Sequence, residues 1–132
     1  MFTIRNLGGV ALFLAGTTWL WLTPVFATKG VTTSGLLWSA TRVLSLLAIV
    51  GFCLATVGLF ARQSWWEVAA VSSAVVGLVA LVPYWFAGTR GGETTGTVAW
   101  NASVHVFMVA GILTLLLVPQ LERWVQQHVM SG

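Results

Sequence analysis

The chain has 132 residues, 58% of them hydrophobic and 7% charged, with a net charge of +3 and a mean hydropathy of +0.92. A soluble domain carries about a quarter charged residues, so this composition excludes an ordinary soluble enzyme and puts the chain in a membrane. The small positive charge suits anchoring beside anionic lipid and not nucleic-acid binding.

Crossing roughly 30 Å of hydrocarbon takes about 20 apolar residues. Four runs approach this: Leu7 to Phe26, Val43 to Phe60, Val68 to Phe86 and Val98 to Val118. The expected fold is an all-α four-helix transmembrane bundle in a single integral domain, residues 1–132. The first run has a second reading, because Arg5, the apolar stretch and "TPVFA" ending at Ala27 resemble a signal peptide with its cleavage site. The run is longer than a signal core of about 7 to 15 residues, and Trp19 and Trp21 suit a membrane interface.

The second run opens at "WSATRV", Trp38 to Val43, and the fourth at an echo, "WNASVHV", Trp100 to Val106. The likeness extends backwards. From Pro24 and again from Pro83 the chain writes proline, Phe-Ala, a Thr with a basic residue and Gly, a Thr-Thr pair, Gly and then Trp. A period of this size is one two-helix unit. The expected organisation is therefore two tandem hairpins, about 1–62 and 63–119, followed by a tail over 120–132. Such units repeat in parallel about an axis along the membrane normal.

At the helix entrances the Trp rings are expected to anchor at headgroup level, with Ser39 and Asn101 as capping partners for orphan amides. Trp85 belongs to the same edge, and Trp65, Trp66 and Trp124 to the other. Small residues at helical spacing, Ala11 with Ala15, Gly51 with Ala55, Ala70 with Ala74 and Ser73 with Gly77, predict close backbone approach. Past Pro119 the tail puts Leu121, Trp124, Val125 and His128 on one helical face, which reads as an interfacial helix. Arg5, Arg62 and Arg123 fall on one side of the membrane and Lys29, Arg42 and Arg90 on the other. The longer loops are nearly uncharged, so both termini are expected in the cytoplasm.

The chemical inventory is short: no Asp, three Glu at span edges or loops, His105, His128 and a lone Cys53. No buried carboxylate pair is available for acid and base roles, and the two histidines fall at opposite ends of the fourth run, so no metal or haem ligand set forms within one chain. Asn101-Ala102-Ser103 matches a glycosylation sequon but starts a span. Two residues exceed the structural minimum. Arg42 and His105 are ionisable groups within apolar runs, and such groups are functional candidates, although Arg42 is long enough to snorkel to water. His105 is expected to hydrogen-bond Asn101, Thr41 or Ser103.

The leading functional expectation is a non-catalytic accessory or scaffold subunit of a larger membrane assembly, partnered by membrane lipids, other membrane subunits or further copies of itself. The alternative is a binder of a lipid, quinone or pigment in a polar pocket between the second and fourth helices, formed by Arg42, Asn101 and His105 under Trp38 and Trp100. A third is a homo-oligomeric pore of the holin kind.

The segment "LFARQSWWEVAAVSSAVVGLVALVPYW" combines a basic turn, paired Trp, a small-residue helix and a Trp exit. In this it resembles small prokaryotic four-helix membrane proteins. The resemblance covers about a third of the chain and implies the helical fold, with no activity attached.

Overall fold

The computed structural model describes residues 3–23, 30 and 35–130, and the described chain is all-α. Helix α1 covers Ile4–Thr17 and runs on into a 3-10 turn, Thr18–Leu22; α2 covers Leu36–Phe60, α3 Trp66–Gly91, α4 Thr95–Leu117 and α5 Pro119–Met130. Helices α2, α3 and α4 are long and apolar enough to cross a membrane. The Phe26 end of the first expected span, Ala27, Lys29 and the Thr32-Thr33 pair of the repeat lie outside the described residues.

Both echo stretches sit deeper than expected. Helix α2 begins seven residues ahead of Val43 and α4 three ahead of Val98, because the preceding residues still form helix. Ser39 and Asn101 are therefore interior residues and not caps. Thr94 caps α4, its hydroxyl accepting from Thr97 N (3.2 Å), and Thr3 caps α1, accepting from Asn6 N (3.1 Å). These bonds satisfy amides that the first helical turn leaves unpaired. Gly35 precedes α2 without a side-chain bond.

Successive helices run antiparallel, as the contacts of their glycines show: Gly16 beside Phe52, Gly58 beside Trp65 and Gly88 beside Val98. Helix α2 packs along α3, α1 along α2, and α4 along α3, while α5 folds back against α4 and the start of α1. The small-residue rows explain the α2–α3 seam. Ala55, Ala70 and Ala74 are fully buried, and a side chain at Gly51 would run into Ser73. Without a hydrophobic driving force between helices in lipid, this close approach supplies dispersion contact in its place. The α1 row behaves differently: Ala11 is exposed and Ala15 half-buried, and both line a groove facing α4.

Helix α5 docks by Val125 and Val129, both buried, and Gln126 Nε2 donates to Glu67 Oε1 at the start of α3. Leu121 is exposed instead, while the half-exposed Trp124 borders the groove beside α1 and α4 and stacks on His128 with ring centroids 4.3 Å apart. The buried face is thus rotated from the expected one, since the polar partner at Glu67 draws Gln126 inward.

Candidate functional site

The most concentrated polar chemistry inside the bundle gathers where α1 breaks. Thr17 and Thr18 each turn the hydroxyl back onto a carbonyl of the preceding turn, Leu14 O at 2.8 Å and Ala15 O at 2.6 Å. Such back-bonding competes with regular helix, and the chain tightens into 3-10 geometry at this point. The tightened turn drives Trp19 into the core, where it is fully buried. Its indole N–H donates to Gly77 O on α3 (3.1 Å), its ring lies 5.3 Å from Phe52 on α2, and it meets the imidazole of His105 on α4 edge-on at 4.7 Å. Gly77 is required by this arrangement, because a Cβ there would stand 2.5 Å from the Trp19 ring.

His105 is also fully buried, ten residues from the start of α4 and twelve from its end. At 1.5 Å per residue that is about 15 and 18 Å, so His105 stands at mid-depth of the helix and not near the loop edge. Its Nδ1 lies 2.6 Å from Asn101 O and its Nε2 3.0 Å from Thr18 O. Both partners are carbonyl oxygens, which only accept. A neutral imidazole has one N–H and can donate to one of them, whereas an imidazolium donates to both. Thr18 also places its hydroxyl 3.8 Å from Met108 Sδ, a second tie between the turn and α4.

One turn towards the loop edge, Asn101 Nδ2 donates to Tyr84 OH on α3 at 2.9 Å, and the Tyr84 ring meets Trp38 on α2 edge-on at 6.4 Å. Trp38 is buried, and its Nε1 has no hydrogen-bond partner among the described residues; Ser45 Oγ, two turns further along α2, is in the same condition.

Of the five residues singled out in the sequence, the structure brings three into this polar column. Trp38 and Asn101 meet at Tyr84, and Asn101 meets His105 through its backbone. Arg42 is exposed on the outer side of α2, and Trp100 is exposed on α4. Thr41 turns its hydroxyl to Leu37 O at 2.8 Å, and Ser103 faces outward. His105 reaches across to the 3-10 turn after α1 and to no polar side chain of α2. Three contributors were not singled out: Tyr84, the only tyrosine in the chain, Thr18, and Trp19, which read as an interface anchor.

Below the node a groove of about 680 Å³ opens between α1 and α4, with α5 across its end. Its walls are apolar, with Gly8, Ala11 and Ala15 on one side and Phe107, Met108 and Gly111 on the other. Among the described residues no three side chains of His, Cys, Asp or Glu gather as a metal site. Comparison with protein-family models, curated proteins and solved structures finds no match for this chain.

Proposed function

We propose that the protein is a non-catalytic integral membrane protein that serves as an accessory subunit of a larger membrane assembly. The observation supporting this reading is the burial of α4. In its most apolar stretch 17% of residues are buried, against 39% in α2 and in α3. A helix covered on so little of its surface has a face left for another helix. Opposite the buried line of His105 and Val109, exposed Ser103, Phe107, Ala110 and Thr114 follow one another at helical spacing. Small and hydroxyl-bearing residues in such a row suit interhelical packing in lipid.

In this reading α1 and its 3-10 turn make a fourth crossing. Fourteen α-helical and five 3-10 residues span about 31 Å at 1.5 and 2.0 Å per residue, the thickness of the hydrocarbon core. The bundle is then two tandem hairpins, α1–α2 and α3–α4, with both termini on the cytoplasmic side of a prokaryotic membrane beside Arg5, Arg62 and Arg123. The contacts of His105 with Thr18 and Trp19, and of Asn101 with Tyr84, act in this reading as a structural clasp.

A photo-crosslinking residue in place of Phe107, which is 80% exposed, tests the docking face in the native membrane. The expected product is one heterologous membrane protein in near-stoichiometric yield, absent when the probe replaces Val50 on α2. Cross-links to a second copy alone point to a homo-oligomer, and cross-links to lipid alone point to an isolated protein; either result overturns the accessory reading.

A further inference from the structure

Helix α5 meets the bundle by one face. Glu122, Val125, Gln126 and Val129 follow one another at helical spacing, and this face is turned inward, with Val125 and Val129 buried and Glu122 and Gln126 half-buried. Across from it stands Glu67, the second residue of α3, ahead of the apolar run that begins at Val68 and itself half-buried. Gln126 Nε2 donates to Glu67 Oε1, and the Glu122 carboxyl lies within hydrogen-bonding reach of the Glu67 carboxyl.

Ionised carboxylates only accept hydrogen bonds. Two of them in contact repel, and the contact becomes a hydrogen bond when one proton is shared between them. Glu67 then donates to Glu122 from one oxygen and still accepts from Gln126 at the other. The other charged or titratable groups of this edge are Arg5 at the start of α1, Arg62 in the turn before α3, and Arg123 and His128 on the exposed side of α5, while the α4 turns beneath α5 carry none. Arginines keep their charge throughout, so of these described groups only the carboxyl pair and His128 titrate below neutral pH.

We propose that Glu67, Glu122 and Gln126 make α5 a pH-sensitive strap, held on α3 while the two carboxyls share a proton and loosened when both are ionised. The sign follows from proton binding. The docked pair holds a proton that the separated carboxylates release, so docking is firmest at low pH and weakens as pH rises. Loosening uncovers Val125 and Val129 and opens the end of the groove that α5 crosses.

The test is amide hydrogen exchange of the full chain in non-ionic detergent, read over α5 at about pH 5 and about pH 8 and corrected for the intrinsic pH dependence of exchange. Protection of α5 should fall about tenfold between the two, the size of one hydrogen bond to a charged group. Glu67→Gln gives Glu122 a permanent donor, and protection should stay at the low-pH level throughout. His128→Gln should respond to pH as the parent does. If lost helical circular dichroism shows that Glu67→Gln does not fold, Glu122→Gln removes the same shared proton and takes its place. Equal protection in the parent at both pH values, a response that survives in the glutamate variant, or one that disappears in His128→Gln overturns the proposal.

Discussion

Helices α1 and α4 face each other along a seam that is closed at mid-depth and open towards α5. Where it is closed, one large side chain, Trp19, fills the space, and the backbone of the 3-10 turn bonds to His105. Where it is open, Gly8, Ala11 and Ala15 stand across from Gly111, and Leu59 of α2 and Trp66 of α3 border the gap without filling it. On the α2–α3 seam small residues bring backbones into contact, with Gly51 against Ser73. Small residues thus produce contact only where the helices are drawn together by other bonds. The α1–α4 pair is tied at its middle and held apart at its α5 end, where Val125 and Val129 occupy the space.

The largest effect is expected from opening the closed half. Trp19→Ala removes a fully buried ring that bridges α2, α3 and α4, and it leaves Gly77 O and the His105 ring face uncovered. Loss of a buried aromatic costs about 3 to 5 kcal/mol in soluble cores, and a loss of that order is expected in equilibrium unfolding by denaturing detergent. A loss under about 1 kcal/mol, within the range of surface substitutions, shows that the seam is not held at Trp19.

A smaller effect is expected from His105→Leu, which keeps volume and removes both polar contacts. Thr18 O then loses its partner inside the bundle, at a cost of about 1 to 3 kcal/mol for a buried unsatisfied group. His105→Gln retains one donor and should recover part of that loss. The measurement is the same unfolding equilibrium, joined to amide exchange over residues 17–22, which should rise in the Leu variant. Unchanged exchange there shows that the 3-10 turn holds itself in place without His105.

The helical class and three crossings were legible in the sequence because apolar run length is a direct physical requirement of the bilayer. The polar column was legible in part. Asn101 and His105 stood out as polar groups within an apolar run, and they do lie one turn apart on the same helix. The burial of Trp19 was not legible. Its neighbours read as an interface, and what admits the ring is the missing side chain of Gly77, 58 residues away. The echo of Trp38 and Trp100 suggested equal roles, yet one is 4% exposed and the other 71%. A local pattern cannot register which side of a helix its neighbours cover. Helix α2 is covered on both flanks, by α1 and α3, whereas α4 has α3 on one side and the open groove on the other. Tyr84, which joins Trp38 to Asn101, could have been singled out as the only tyrosine, placed directly after a proline in an apolar helix.

The smallest effect has the opposite sign and sharpens the contrast within the seam. Gly111→Ala adds a methyl group to a wall that has nothing within 4 Å, so no clash offsets the gain in helix propensity of about 0.8 to 1.0 kcal/mol. The variant should be more stable than the parent by up to that amount. Gly77→Ala makes the same chemical change in the closed half and should destabilise, since its methyl group meets the Trp19 ring at 2.5 Å and forces a shift costing about 1 to 3 kcal/mol. Opposite signs for two identical substitutions, measured in one detergent, separate open from closed packing without reference to any ligand. Destabilisation by both substitutions means that α1 and α4 meet along their whole length in the detergent-held protein, and stabilisation by both means that the Trp19 ring leaves room at Gly77.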